Sequence, residues 1–311
     1  LYAVQKQADS LRQAGVECLV AVGGGSTIDT GKAIARLLNQ DPDSGLEAML
    51  GDSAGSHLCP ALPVIAVPST AGTGAEVTPF GTVWDHERGK KHSVFGEDLY
   101  PKLAVLDPDL TLELPEEVTI SSGLDAISHA LESTWNHNAS PVSLGLATRS
   151  LQLSLPSLPI VASDPGHIGA RAAMMQASML AGLAISQSRT ALAHSISYPI
   201  TAEFGLPHGF ACSFTLPSLL EFNAVADDGR LRDLARALRC SGPTELAAKL
   251  RTLFRQLGVH RYLSKYVSDQ SALAALSDQM FTPGRADNNL RAATEQDVRA
   301  LLAGASEMFA K

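Results

Sequence analysis

The sequence predicts an α/β region with a parallel sheet, followed by a region built only from helices. In the first third of the chain, short apolar runs alternate with helical patterns, which is typical of a parallel sheet covered by helices. After Asp107-Pro108, long patterns of helical period follow one another, separated by Pro, Gly and Ser clusters. We therefore predict an α/β domain over residues 1–110 and an all-α domain over residues 111–311.

The chain begins with an amphipathic helix rather than with a strand. Val4, Ala8 and Leu11 fall on one face of this helix. The segment lacks the basic start and the cleavage site of a signal peptide. Because a helix is an unusual first element for such a domain, we expect the α/β domain to be N-terminally incomplete in this sequence.

Each further element is predicted from local composition and periodicity. Three apolar runs have the length of buried strands, one helical pattern follows the first run, and another segment is expected to be extended and paired. The strands cover residues 18–22, 63–70 and 102–108, the helix 27–38, and the extended segment 76–84. The helices of the second region cover residues 116–136, 141–154, 168–187, 228–239, 244–257 and 294–309.

Composition excludes several classes of partner. The formal net charge of −8 argues against binding to nucleic acid or to an anionic membrane. No uninterrupted apolar run approaches the roughly 18 residues that a membrane span needs. The four cysteines are scattered, without a CxxC pair, which is typical of reduced thiols. We therefore predict a cytoplasmic protein whose partners are small molecules.

A glycine-rich segment, AVGGGSTIDTGK (21–32), lies between the first strand and its helix. Its glycines let the backbone come close to a ligand. Ser26 is predicted as the N-cap of the helix, and Asp29 completes a start that resembles a capping box. The exposed amides and the helix dipole would then face an anion. Taken alone, a well-capped turn without a ligand remains an alternative.

A second loop, PSTAGTGAE (68–76), follows the second strand in the same way. The carboxyl ends of parallel strands meet in one crevice, which is where nucleotides bind in such sheets. By itself this loop is equally well explained as a flexible turn. The two loops together favour a dinucleotide site in the α/β domain.

Four residues have the chemistry of a metal site. Asp125 and His129 are four apart and share one helix face, which alone favours a polar face or a hydrogen-bonded core histidine. His194, however, lies in an apolar run where an unpartnered imidazole is costly, and His208 follows at a Pro-His-Gly turn. One carboxylate and three imidazoles suit Fe(II) or Zn(II). The remaining histidines are interpreted as surface residues: His57, His86, His92, His137, His167 and His260.

In these motifs the chain resembles the iron-containing, or group III, alcohol dehydrogenases. The matching segments include GGGSTIDTGKAIA, PSTAGTGAEVT, LAVLDPDLTLELP, SSGLDAISHALE, HGFACSFTLPSLLEFN and DNNLRAATEQDV. The resemblance implies a dinucleotide-binding α/β domain, a helical domain, and a cleft between them where a metal and NAD(P)H meet. It also implies a strand–helix–strand segment ahead of the first helix, and we expect a homo-oligomer, a dimer.

The resemblance assigns roles to individual residues. The implied metal ligands are Asp125, His129, His194 and His208. The implied cofactor-binding residues are Gly24, Gly25, Ser26 and Asp29 in the first loop, Ser69, Thr70 and Thr73 in the second, and Lys91.

One position departs from the family pattern. The family commonly has HxxxH in the helix that carries the third ligand, but here the second histidine is replaced by Tyr198. We therefore predict that water or Tyr198 supplies the proton in aldehyde reduction. HSISYPIT followed by HGFACSFTLP is similar to the phosphonoacetaldehyde reductase branch, which implies reduction of phosphonoacetaldehyde to 2-hydroxyethylphosphonate.

The charge of that substrate identifies candidate cations. An acidic protein must place cations locally to hold a dianion, and Arg189 and Arg285 are the candidates, although each is also explained as a solvated surface arginine. Three alternatives stay open. They are a generic primary alcohol dehydrogenase, a lyase of the dehydroquinate synthase type, and a non-catalytic nucleotide- or metal-binding protein.

Overall fold

The computed structural model describes residues 2–41, 59–85 and 90–309, and it confirms the predicted fold class. Its parallel sheet has the order β1-β2-β5, formed by β1 (Leu19–Gly23), β2 (Val64–Pro68) and β5 (Leu103–Ala104). The predicted strands are therefore present, but β5 is much shorter than the predicted 102–108. β1 pairs directly with β2, and each strand is followed by one of the two glycine-containing loops. Both loops therefore lie at the same edge of the sheet.

Two helices pack beside each other in the α/β region. Apolar side chains of α1 (Tyr2–Gln13) contact those of α2 (Gly25–Leu38), with Ala8 and Leu37 fully buried. The Lys32 amine is also fully buried, and it donates hydrogen bonds to the carbonyl oxygens of Thr78 and Phe80 at 2.8 and 2.7 Å. Burial lowers the pKa of Lys32 to about 8. This buried amine ties α2 to the chain segment that follows the second loop.

The predicted extended segment is one strand of a separate antiparallel hairpin. The hairpin consists of β3 (Phe80–Asp85) and β4 (Lys90–Phe95). The strand begins later than predicted because Ala75–Val77 forms a 3₁₀ turn. The backbone N–H of Thr82 donates to the Asp29 carboxylate at 2.8 Å, which fastens the hairpin to α2.

The rest of the chain is helical and encloses the largest apolar core, in which Trp135 is fully buried. The helices of this region are α3 (Glu116–Thr134), α4 (Pro141–Ser163), α5 (Ile168–Ser188), α6 (Leu192–Phe204), α7 (His208–Ser213), α8 (Leu216–Ala224), α9 (Arg230–Ala237), α10 (Pro243–Gln256), α11 (Val259–Tyr266), α12 (Ser271–Ala275) and α13 (Glu295–Gly304).

Two helices correct the sequence-based expectations. The prediction ended α4 near residue 154, but the helix continues to Ser163 through Pro156 and Pro159. Leu158 and Val161 are buried in the main core, so packing outweighs the lost backbone hydrogen bonds. By length and composition α5 also qualifies as a possible membrane span. More than half of its apolar stretch is buried inside the protein, as in the core helix of a folded domain.

Candidate active site

A cleft of about 790 Å³ joins the predicted cofactor and metal residues. Gly25, Ser26, Asp29 and Thr73 line it from the α/β region. The helical region contributes the four predicted metal ligands together with Tyr198, Arg189 and Arg285. The cleft therefore brings together residues that three separate sequence patterns had singled out.

The carboxylate of Asp125 lies at the centre of the three histidines. Helix α3 presents Asp125 and His129 one turn apart, α6 presents His194, and α7 begins at His208. The Nε2 atoms of His129 and His194 both lie 3.5 Å from Asp125 Oδ1, and Nε2 of His208 lies 3.9 Å from it. One carboxylate oxygen and three imidazole nitrogens thus converge on one point.

This cluster fits a divalent metal. His194 Nε2 is buried without a hydrogen-bond partner, which is costly unless the nitrogen binds an ion. Asp125, His129 and His194 are buried, whereas the side chain of His208 is 36% exposed and faces the cleft. A site with buried ligands and one accessible side suits catalysis better than a fully enclosed structural site does.

Charges within the cluster shift its ionisation. Burial alone would raise the pKa of Asp125, but the three histidines together lower it below the ordinary value. Burial lowers the pKa of His129. For His194, the negative charges of Glu132 and Asp125 outweigh burial and raise the pKa to about 10. A metal that binds to His194 therefore has to replace a proton.

Glu132 contacts the cluster, although the sequence analysis does not single it out. Its carboxylate is fully buried, and Oε2 lies 2.5 Å from Nδ1 of His194. Its Oε1 accepts a hydrogen bond from the backbone N–H of His194 at 3.1 Å. Because Nδ1 is occupied by the carboxylate, Nε2 of His194 is left for the metal. The spacing Asp125, His129, Glu132, which puts three polar residues on one face of an apolar helix, was the available signal.

We expect Glu132→Gln to lower metal affinity by about tenfold to 100-fold, the usual cost of losing such an outer partner. A glutamine has a single acceptor oxygen, so it can accept from the ring or from the backbone of His194 but not fully from both. Competition with a chromogenic chelator measures the affinity. The surface variant Glu116→Gln is the matched control, and a Glu132→Gln protein with wild-type affinity would contradict the role.

Cys212 is a second neighbour of the cluster that was missed. Its Sγ lies 3.5 Å from Asp125 Oδ1 and 3.4 Å from the hydroxyl of Ser128. Burial raises the pKa of this thiol well above its ordinary value, so the thiol stays protonated and can donate one hydrogen bond, with Asp125 Oδ1, the Ser128 hydroxyl and the carbonyl of Gly209 within reach. Cys212 thus lies inside the cluster, with Sγ within 4.8 Å of the ligand atoms of Asp125, His194 and His208.

The two predicted cofactor loops touch each other. A Cβ atom on Gly25 would lie 2.5 Å from a methyl carbon of Thr73, and one on Gly24 would lie 3.4 Å from Thr70. The backbone N–H of Ser69 donates to the carbonyl of Gly23 at 2.9 Å. Gly24, Ser69 and Thr70 lie in these loops without lining the cleft, unlike Gly25 and Thr73. The glycines thus allow two loops to share the space at the strand ends.

The predicted helix cap was wrong. The N-cap of α2 is Gly24, no side chain caps the helix, and the helix already begins at Gly25. Ser26 lies inside the first turn, and the Asp29 carboxylate bonds to β3. The amides at the start of α2 thus have no side-chain cap, which keeps the arrangement that suits an anion.

The other predicted residues divide into three groups. The side chain of Lys91, together with His57 and His86, lies outside the described residues. His92 was interpreted as a surface residue but lines the cleft. His137 and His167 are exposed, as the sequence analysis predicts, whereas His260 is half-buried.

Arg189 has a strained backbone. It follows the last residue of α5 rather than lying within a helix, with φ 63° and ψ 178°. This region is nearly restricted to glycine and costs other residues about 1–3 kcal/mol. The guanidinium lies over the ring of Phe95, 5.0 Å from its centre. Strain of this kind is retained where the surrounding structure fixes a residue, and here the residue lines the cleft.

Comparisons with known proteins agree with this geometry. The profile of the iron-containing alcohol dehydrogenases matches residues 1–108, and that of the C-terminal part of the Fe-containing alcohol dehydrogenase family matches residues 119–306. Phosphonoacetaldehyde reductase of Streptomyces viridochromogenes is 33% identical over 97% of this chain and 79% of its own length. The NAD-dependent methanol dehydrogenase of Bacillus methanolicus is 30% identical over 97% of this chain and 80% of its own.

A solved structure extends the similarity to the fold. Sulfoacetaldehyde reductase from Bifidobacterium kashiwanohense, in complex with NAD+, is 31% identical with a TM-score of 0.89, covering 97% of this chain and 80% of that one. The matching profiles together span most of the chain, and both relatives cover nearly all of it. The chain therefore belongs to the iron-containing alcohol dehydrogenase family, and it is an oxidoreductase of that family.

Proposed function

We propose that this protein uses NAD(P)H to reduce a small aldehyde that carries a phosphonate, with phosphonoacetaldehyde as the first candidate and 2-hydroxyethylphosphonate as its product. One observation carries the proposal: a single cleft is lined by the Asp125–histidine cluster, the first cofactor loop, and both Arg189 and Arg285. Relatives that act on a phosphono- and a sulfo-substituted acetaldehyde support an anionic substrate.

Different residues of the chain are assigned to different parts of the reaction. When bound, Fe(II) or Zn(II) polarises a carbonyl oxygen and the reduced nicotinamide supplies hydride. Asp125, His129, His194 and His208 would hold that metal. Gly209 keeps α7 close to α3, since a Cβ atom there would overlap the carbonyl of Ser121. This close approach fixes His208 at the edge of the cleft.

The charged end of the substrate is the part we assign to the arginines. Arginine suits phosphonate because its planar fork donates two parallel hydrogen bonds to such oxygens. Arg189 and Arg285 both line the cleft, so each can supply such a fork to a ligand bound there. A generic primary alcohol dehydrogenase is the second candidate, and the methanol dehydrogenase relative favours it, because methanol carries no charge.

The decisive comparison is between phosphonoacetaldehyde and propanal. We expect the wild type to have a much higher specificity constant for the charged aldehyde. Arg189→Ala should raise the KM for it by about tenfold to 100-fold, because hydrogen bonds to charged groups are worth about 1.5–3 kcal/mol. The exposed Arg299→Ala is the matched control. Equal wild-type specificity constants for the two aldehydes would contradict the proposal and support a generic alcohol dehydrogenase.

Tyr198 is proposed as the source of the proton. Its ring lies in the cleft, nearly parallel to that of His208, with the ring centres 6.3 Å apart. We expect Tyr198→Phe to lower kcat by about 100-fold if the hydroxyl acts as the general acid. The pH profile of kcat in the two proteins measures this. An unaltered rate and profile would mean that water supplies the proton and that Tyr198 only packs in the cleft.

A further inference from the structure

Two chain segments that carry arginines border the same cleft. Arg189 and Thr190 follow α5, while Thr282, Pro283 and Arg285 lie directly before the 3₁₀ turn Ala286–Asn288. The two segments are far apart in the sequence, so only tertiary contacts can set the distance between them. Recognition of an oxyanion by two arginines depends on that distance.

The side chain of Asn288 joins the two segments. Its Nδ2 donates to the carbonyl oxygen of Thr190 at 2.9 Å and to that of Gly284 at 2.8 Å. An amide nitrogen carries two hydrogens, so one side chain can serve both carbonyls. The carbonyl of Gly284 also accepts from Nη1 of Arg285 at 2.8 Å. Asn288 therefore contacts the residue after one arginine and the carbonyl that the other arginine binds.

The residues that directly follow α3 hold Asn288 in place. The backbone N–H of His137 donates to the carbonyl of Asn288 at 2.8 Å. Asn136, which is fully buried, donates from Nδ2 to the carbonyl of Arg189 at 3.1 Å. The strained backbone of Arg189 is thus held on its carbonyl side by Asn136, and the following carbonyl is held by Asn288.

We infer that Asn288 is a positioning residue for anion recognition, which sets the spacing of Arg189 and Arg285 and with it the preference for aldehydes that carry a phosphonate. This inference rests on the proposed function. Loss of the amide would release the turn that carries Arg285 from the segment that carries Arg189. A misplacement of about 1 Å in a binding group can cost about 100-fold in rate.

The test compares specificity constants for phosphonoacetaldehyde and propanal in the wild type, Asn288→Ala and Asn288→Asp. Alanine removes both donated hydrogen bonds, whereas aspartate keeps the size of the side chain but turns an oxygen toward two carbonyl oxygens. We expect the preference for the charged aldehyde to fall by about tenfold to 100-fold in both variants, through a higher KM. A purely structural role would lower both constants together.

The matched control is Asn39→Ala, which removes a side-chain hydrogen bond of 2.7 Å to the carbonyl of Pro60, at the opposite end of α2 from the cofactor loops. It should keep the wild-type preference. If Asn288→Ala does not fold, the same-sized Asn288→Asp gives the result. A wild-type preference that survives in the variants, or an equal loss for both aldehydes, overturns the inference. A wild type without any preference instead defeats the proposed function.

Discussion

Replacing His208 or His194 with alanine is expected to remove most of the bound metal and nearly all aldehyde reduction. Each change deletes one of the four proposed ligands, and each of these two imidazoles lies within 3.9 Å of Asp125 Oδ1. The loss should exceed the roughly tenfold to 100-fold reduction that follows removal of an outer partner alone. Metal analysis of anaerobically loaded protein gives the occupancy, and NADH oxidation gives the activity of the same sample.

The two variants also differ from each other in a testable way. His194 is buried beside Glu132, so His194→Ala leaves a buried carboxylate without its partner and should also lower the melting temperature. His208 is partly exposed, so His208→Ala should melt near the wild-type temperature. His260→Ala, on α11, is the matched control. Full metal occupancy in His208→Ala would show that the ligand set is wrong.

The second large effect is expected for Gly25→Val, which should weaken binding of the dinucleotide while metal content stays near normal. The new side chain would collide with Thr73 and push apart the two loops that meet at the strand ends. Overpacking of this kind costs about 1–3 kcal/mol, which corresponds to about tenfold to 100-fold in affinity if the cost falls on the binding-competent loops. Quenching of protein fluorescence by NADH measures the affinity.

A matched glycine separates this local effect from a general one. Gly145 is exposed on α4, and a Cβ atom there would meet nothing within 4 Å. Gly145→Val should therefore bind NADH as the wild type does. If Gly25→Val binds NADH with unchanged affinity, the cofactor site does not lie at this loop.

The Asp125–histidine cluster was predictable because the cost of burying such polar groups without partners is visible in the sequence. A histidine in an apolar run, such as His194, needs a partner, and Asp125 and His129 share a helix face. Glu132 and Cys212 escaped notice because each of their roles depends on contact with a residue from another helix. Such pairings are set by tertiary packing and leave only a weak trace in spacing.

The fold shows the same division between local and tertiary causes. The alternation of apolar runs and helical patterns correctly predicted the parallel sheet and the helical region. The prolines of α4 predicted a helix end that burial of the helix overrode. The capping prediction failed because the Asp29 carboxylate bonds to the backbone of Thr82, in a hairpin distant in sequence, instead of to its own helix.

We propose that this cleft carries out metal-dependent transfer of hydride to an aldehyde. The most direct measurement follows the nicotinamide absorbance of NADH with phosphonoacetaldehyde, in protein stripped of metal and in the same protein reloaded anaerobically with Fe(II). We predict that NADH and aldehyde disappear in equal amounts after reloading, and that neither disappears before it. Turnover of substrate without net loss of NADH, as a lyase would give, or an equal rate in the stripped protein, would contradict metal-dependent hydride transfer in this cleft.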